Sequence, residues 1–338
     1  MILAIVAIVV GLVLLVWSAD RFVDGAVGVA QFLGMSTFLI GMIIVGFGTS
    51  APEMVVSILS AMNDAPQLAL GNAYGSNIAN IALILGVTAV ITPVVVKKQA
   101  VKQDIPILLV MTVLTIVLLM DGNVSLWDGV VLLLAFIVVT AFNITMELRE
   151  KRKRKKGAAA EQDLDSKPAE KVSIVKAVAL LLVGLALLIV SSRMLVWGAV
   201  YMARALGVSD LLIGLTIVAV GTSLPELASS IAAARRGEND LAVGNIIGSN
   251  VFNTLAVVGL AAVIAPIKAA DPEVMARDVP IMTGLTLLLF LICLPFWKSK
   301  KKRSSRKKDE RFGFGRIGGA LFLSLYAAYL VLLGIQSV

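Results

Sequence analysis

Polar residues in this chain fall in short clusters, and the apolar residues between them run on for about 20 positions at a time, the length a helix needs to cross a bilayer. Hydropathy places spans at 1–33, 37–62, 67–91, 104–120, 126–146, 173–206, 210–234, 240–265, 278–297 and 315–335. The first and sixth are long enough to tilt. The first apolar run, Ile2 to Trp17, has no basic leader and continues beyond a polar break, so it reads as the first span and not as a cleaved signal. The pattern predicts an all-α membrane protein of ten transmembrane helices.

The spans divide five and five. The divider, residues 147–172, contains Lys151-Arg152-Lys153-Arg154-Lys155-Lys156 followed by a polar Ala/Glu/Asp/Lys stretch, and reads as a flexible linker between residues 1–146 and 173–338. The halves repeat each other. Gly48-Thr49-Ser50-Ala51-Pro52-Glu53 returns as Gly221-Thr222-Ser223-Leu224-Pro225-Glu226. Gly71-Asn72, Gly75-Ser76-Asn77 and Asn80 return as Gly244-Asn245, Gly248-Ser249-Asn250 and Asn253, always 173 positions on. The duplicated motifs span 46–80 and 219–253. A duplicated, Gly/Pro-broken segment bearing a carboxylate points to a transporter with its site where the copies meet.

Charge fixes an orientation. Lys97, Lys98 and Lys102, the linker, Arg235 and Arg236, and the run Lys298 to Lys308 all fall on one side if the N-terminus is outside. The linker is then cytoplasmic and both termini are external. Five spans is an odd number, so the second half enters from the opposite side and the repeats are inverted. The basic runs read first as topology anchors, and Lys151–Lys156 alternatively as a contact for anionic lipid.

Composition narrows the chemistry. The chain is 59% apolar, with a mean hydropathy of +0.95, too apolar for a soluble domain of 338 residues. It has no histidine and a single cysteine, Cys293, which removes imidazole relays, sulfur-rich metal sites and intramolecular disulfides. The formal charge of +8 lies in loops and concerns topology and lipid, not nucleic acid.

Glu53 and Glu226 sit near the middle of the second and seventh spans, where an ionised side chain costs at least about 2.5–3.5 kcal/mol. Gly46, Gly48 and Pro52 predict a broken second helix, and their counterparts a broken seventh. Irregular backbone at that depth belongs in a protein-lined cavity. The break is expected to free carbonyls near Gly46 and Ala219, beside the hydroxyls of Thr49, Ser50, Thr222 and Ser223 and the two carboxylates. These are hard oxygen ligands, suited to Ca²⁺ and Na⁺. A structural reading competes: Ser50-x-x-Glu53 and Ser223-x-x-Glu226 have the form of capping boxes. Asn72, Ser76 and Asn80 form one stripe on the third helix, repeated by Asn245, Ser249 and Asn253 on the eighth. Ser76, Asn80, Ser249 and Asn253 read as cation ligands. Asn72, Asn77, Asn245 and Asn250 read equally as interhelical hydrogen-bonding groups, and the GxxxG spacing of 71/75 and 244/248 allows close approach. Asp104 and Asp278, each two residues before a proline, read as helix N-caps. Asp20, Arg21 and Asp24 read as paired or snorkelling, Cys293 as buried packing, and Trp17, Trp127, Trp197 and Trp297 as packing or interface residues.

The paired G-T-S-x-P-E and G-S-N-x-x-N elements resemble the alpha repeats of the sodium/calcium exchanger family within the cation/calcium antiporters, most closely its bacterial inner-membrane branch. The resemblance covers essentially the whole chain. It implies a central site on Glu53 and Glu226, with Thr49, Ser50, Thr222 and Ser223 and the carbonyls of Gly46 and Ala219 lining flanking Na⁺ sites, and Ser76, Asn80 and Ser249 completing the ring. Several relatives carry aspartate where this chain has Asn253, a residue associated with potassium dependence.

Two carboxylates neutralise one Ca²⁺ or two Na⁺, and one oxygen cage does not hold both sets together. The expectation is a secondary antiporter moving Ca²⁺ against Na⁺ by alternating access, with helices 1 and 6 as the moving element. It needs no cofactor and no obligate protein partner; its partners are the transported cations and membrane lipid. A Ca²⁺/H⁺ antiporter using the same glutamates is the alternative. A cation channel and an intramembrane enzyme fit less well.

Overall fold

The computed structural model describes residues 1–63, 65–97, 100–158, 173–207, 217, 219–268, 273–294 and 311–336. The start of the expected seventh span, the linker beyond 158, Lys98, Asp271 and the basic run 298–308 lie outside the described residues.

The long apolar runs become helices close to where hydropathy places them. They are α1 (Ile2–Leu33), α2 (Thr37–Thr49), α3 (Ala51–Met62), α4 (Gln67–Ile91), α5 (Ala100–Leu119), α6 (Leu126–Ala158), α7 (Ile174–Ala205), α8 (Ala219–Thr222), α9 (Leu224–Arg235), α10 (Asn239–Ile264), α11 (Val274–Cys293) and α12 (Arg316–Gln336). Among the described residues eight helices are long and apolar enough to span a membrane. The pair α2–α3, bent by 46°, makes a ninth candidate. The break at Ser50 follows from Pro52, which sits in the first turn of α3 where its missing N–H costs nothing. Pro225 does the same for α9.

The two halves match in detail as well as in order. Ser18 Oγ donates to the Leu15 carbonyl at 3.1 Å and Ser191 Oγ to that of Leu188 at 3.0 Å. Thr112 donates to Leu108 at 2.9 Å and Thr286 to Met282 at 2.8 Å. Matched π-helical turns occupy Ala79–Ile84 and Phe252–Val257, and again Ala100–Asp104 and Val274–Asp278.

Burial sorts the helices. The most apolar windows of α4 and α10 are 72% and 89% buried, against 22–39% for α1, α5, α6, α7, α11 and α12. The motif helices therefore form the centre, and the others carry apolar side chains outward, as lipid requires. One apolar cluster joins α4, α5, α10, α11 and α12, and a second joins α1, α7, α9 and the start of α10.

Helices α1 and α7 pack antiparallel along their length at matched glycines. A Cβ on Gly25 would lie 2.3 Å from Leu181 N, one on Gly184 2.6 Å from Phe22 N, and one on Gly198 2.7 Å from the Ala4 carbonyl. One on Gly11 would meet the Ser191 carbonyl at 3.1 Å. Backbone lies on backbone, which only glycine permits.

The protein is all-α as expected, with one short addition among the described residues: β1 (Val94–Lys97) pairs antiparallel with β2 (Arg311–Phe314), Val94 opposite Phe314. The ribbon satisfies the backbone of the loops entering α5 and α12, with Val94 and Val96 buried beneath it. One expectation is corrected: Asp104 and Asp278 do not act as N-caps. Neither side chain makes a cap hydrogen bond, because a π-helical turn carries each helix one turn further back. Asp278 instead accepts from Arg277 Nε at 2.8 Å and Tyr329 OH at 3.0 Å.

Candidate cation site

The breaks set Glu53 and Glu226 in the first turns of α3 and α9, where the amide dipoles of a helix N-terminus favour negative charge. Both are buried, at 1% and 2% exposure. Among the described residues neither forms a salt bridge. A buried carboxylate without a cationic partner is costly, so its charge must be offset by a bound cation or a proton.

The capping boxes do not form. Neither Ser50 nor Ser223 makes a side-chain cap hydrogen bond. Ser50 Oγ turns across the halves and donates to Glu226 Oε1 at 3.3 Å. Nor does the first break free the Gly46 carbonyl as expected, since it accepts from the Ser50 N–H at 3.0 Å. The Thr49 hydroxyl also lies within 3.5 Å of the same carbonyl. At the second break the Ser223 N–H donates to the Val220 carbonyl at 3.1 Å, one residue nearer than the Ala219 carbonyl.

A distinctive set of oxygens remains. Glu53 Oε2, Glu226 Oε2, Ser223 Oγ, Ser249 Oγ and Asn253 Oδ1 are buried and have no hydrogen-bond partner. Buried polar atoms are almost always paired, and these five, with Asn77 Oδ1, Asn239 Oδ1 and Asn250 Oδ1, make eight orphans within the duplicated motifs. Asn80 is also buried, and it and Asn253 sit on the matched π-helical turns of α4 and α10. Such turns recur at functional sites. Sequence gave no signal for them. Ser76, buried, and Thr222, half-buried, line a cavity of about 240 Å³ with Asn72, Arg277, Asp278 and Tyr329. Among the described residues no three His, Cys, Asp or Glu side chains converge.

The motif asparagines divide as the geometry requires. Asn72 Nδ2 donates to the Glu53 carbonyl at 3.1 Å and Ser57 Oγ at 3.0 Å. Asn245 Nδ2 repeats this on the Glu226 carbonyl at 3.4 Å and Ser230 Oγ at 3.0 Å, with Ser229 Oγ at 3.1 Å. Asn245 Oδ1 lies 3.1 Å from the Thr49 hydroxyl, which is also 3.1 Å from the Val45 carbonyl. These two asparagines tie each broken helix to α4 or α10. Ser57 and Ser230 were missed from sequence, although they recur at the motif offset. Asn77 joins the halves through Thr254 Oγ1 at 2.7 Å, and Asn250 bonds its own helix at the Ile246 carbonyl. Gly46 lets α2 reach α10: a Cβ there would lie 3.0 Å from Ser249 N. A Cβ on Gly244 would lie 2.3 Å from the Phe38 carbonyl, and one on Gly248 2.1 Å from that of Met42. For Gly71 and Gly75 the corresponding neighbours, residues 211 and 215, lie outside the described residues.

Duplicated broken helices meeting at buried, unpartnered oxygens in a multi-span protein define a membrane transporter. The chain belongs to the sodium/calcium exchanger protein family, whose model matches residues 3–145 and 176–334. It is 40% identical over 333 residues to the putative antiporter CaxA of Alkalimonas amylolytica, covering 98% of this chain and 99% of that one. It is 30% identical over 355 residues to the sodium/calcium exchanger MaX1 of Methanosarcina acetivorans, covering 96% and 97%. The solved structure of the sodium-calcium exchanger NCX_Mj, soaked with zero Na⁺ and Ca²⁺, is similar with a TM-score of 0.78 at 32% identity, covering 98% of this chain and 99% of that one.

Proposed function

We propose that the chain is a secondary antiporter exchanging Ca²⁺ for Na⁺ across the inner membrane by alternating access. The observation that carries this reading is the set of buried, unpartnered oxygens around two carboxylates that have no cationic partner. Glu53 and Glu226 hold Ca²⁺ at the centre. Ser76, Asn80, Ser249 and Asn253 complete its oxygen shell, and Thr49, Ser50, Thr222 and Ser223, with the carbonyls of Gly46 and Ala219, line flanking Na⁺ positions. Two fixed negative charges balance one Ca²⁺ or two Na⁺, and occupancy by one set excludes the other. The ions are substrates.

The ten-span arrangement belongs to the same proposal: residues 1–146 and 173–338 are inverted five-helix repeats joined by a cytoplasmic linker, with both termini outside. Support comes from the paired hydrogen bonds, the paired π-helical turns and the basic loops that share one side. The glycine-lined α1–α7 pair, which α1 joins to α9 at one end, slides against the central helices.

The deciding measurement is ⁴⁵Ca²⁺ uptake into proteoliposomes under an imposed Na⁺ gradient and, separately, an imposed pH gradient. Uptake driven by Na⁺ alone supports the proposal. Uptake driven by the pH gradient alone replaces it with Ca²⁺/H⁺ exchange on the same glutamates, and a unitary current far above carrier rates replaces it with a channel.

A further inference from the structure

We infer that Arg236, held by Asp20 and Asp24, is a latch that keeps the ion pathway shut on one membrane face while it opens towards the other. The inference rests on the alternating-access reading.

A cavity of about 290 Å³ lies between α7 and the N-termini of α3 and α9, and its walls include Pro52, Val56, Arg193, Val196, Trp197 and Thr222. It reaches the site at Thr222. The repeat gives each wall position a mate 173 residues away. The mates of Thr222, Val196 and Val56 are Thr49, Val23 and Ser229, and all three are buried, at 0%, 1% and 1% exposure. Beside these three positions the equivalent space at the other end of the α1–α7 pair is therefore closed.

What closes it differs from its counterpart. The mates of Arg193 and Trp197 are Asp20 and Asp24. Arg236, one residue beyond α9, places Nε 3.2 Å from Asp20 Oδ1 and a second nitrogen in contact with Asp24 Oδ1. Arg21 supports Asp24 from one turn away at 3.6 Å. The mate of Arg236 is Asn63, so the three positions that mate with Asp20, Asp24 and Arg236, namely Arg193, Trp197 and Asn63, cannot form this bridge. The motif chemistry is duplicated faithfully, whereas the charges at the two ends of the α1–α7 pair are not.

Antiparallel packing puts Asp20–Asp24 beside the early residues of α7 and Arg193–Trp197 beside the early residues of α1, at opposite ends of the pair. For the pathway to open where Arg236 lies, α1 must draw Asp20 and Asp24 away from it. The three side chains keep 35–46% of their surface exposed, so the bridge is screened and reversible, as a gate contact must be.

The test reads opening directly. The single native cysteine is removed as Cys293→Ala, and a thiol is introduced by Val23→Cys, at the buried mate of the cavity-lining Val196. Its rate of modification by a membrane-impermeant thiol reagent, added from the Arg236 side without Na⁺ or Ca²⁺, is proportional to the population open on that side. Arg236→Gln is expected to raise this rate about threefold or more, the scale of a lost exposed ion-pair network. Arg236→Lys, which keeps the charge, is expected to stay close to the parent. An unchanged rate in Arg236→Gln, or an equal rise in Arg236→Lys, overturns the latch. A Val196→Cys thiol, reactive from the opposite face in every background, reports that each variant is folded. Because no ion gradient is used, failure of Na⁺-driven Ca²⁺ uptake with the Arg236→Gln response intact would sink the Ca²⁺/Na⁺ assignment and leave the latch standing.

Discussion

Ser50 Oγ donates to Glu226 Oε1 across 3.3 Å, so the break in the first half is hydrogen-bonded to the carboxylate of the second. Only one oxygen of Glu226 is engaged, and Oε2 remains without a partner, as does Glu53 Oε2. Each carboxylate thus keeps one oxygen free of hydrogen bonds, as the proposed cation site requires. Glu53→Gln and Glu226→Gln, which preserve shape and remove charge, are each expected to reduce Ca²⁺ exchange to background while the protein still inserts and elutes as a single species. Near-normal ⁴⁵Ca²⁺ flux in either variant would remove the central site.

Ser223 offers the clean test of the flanking positions, because its Oγ is buried and unpartnered and its loss leaves no other group unsatisfied. Ser223→Ala is expected to raise the Na⁺ concentration needed for half-maximal exchange several-fold, with a smaller effect on Ca²⁺ affinity. Equal weakening of both ions would count against separate monovalent positions.

Asn245 is expected to be structural first. Asn245→Ala leaves Ser229, Ser230 and Thr49 without a shared partner in a buried setting, at a cost of about 1–3 kcal/mol. Thermal unfolding should show that loss, and Asn72→Ala should show a smaller one, since Asn72 serves fewer groups and is only part-buried. A variant of Asn245 as stable as the parent, with altered ion affinity alone, would make it a ligand instead.

Asn253 supplies an amide oxygen, which ligates a cation but neither carries charge nor takes up a proton. Exchange is accordingly expected without potassium. Asn253→Asp places a third carboxylate beside two others, and protonation relieves their repulsion. Protons then compete with Ca²⁺, so exchange in the variant should fall more steeply as pH is lowered. Identical pH profiles for variant and parent would place residue 253 outside the ion cluster.

The proposed topology is tested by tags. One inserted within 157–168 should be reachable from the cytoplasm only, and one after Val338 from the outside only. A cytoplasmic C-terminus would end the inverted-repeat proposal, because an in-plane axis could no longer relate the halves.

The helices were legible in the sequence because a spanning helix needs about 20 apolar residues, and little else satisfies the backbone in lipid. The break at Ser50 was legible because Pro52 cannot continue a helix. The Asn72 and Asn245 anchors were left open, and the choice depended on Ser57 and Ser230, whose role emerges only when α3 and α9 are set beside α4 and α10. Local signals were misleading where tertiary partners prevailed. Ser50 and Ser223 have a capping-box spacing, yet neither caps, and Ser50 finds Glu226. Asp104 and Asp278 look like caps because proline follows, but π-helical turns had already extended the helices past them. The β ribbon was invisible because its strands, Val94–Lys97 and Arg311–Phe314, are more than 200 residues apart and only four residues long.

Gly11 and Gly184, like Gly25 and Gly198, are repeat mates, and each fits against the backbone of the opposite helix in the α1–α7 pair. That seam is nearly the same when read from either end. A stroke of the pair in one direction and its reversal then meet similar resistance along the seam, which contributes little to any preference for facing inside or outside. The resting bias of such a machine is written where the two halves disagree, at Asp20 against Arg193, Asp24 against Trp197 and Arg236 against Asn63. Substitutions there should shift the balance between the inward- and outward-facing states without touching the ions, whereas a bulky residue in the seam should slow the passage between them.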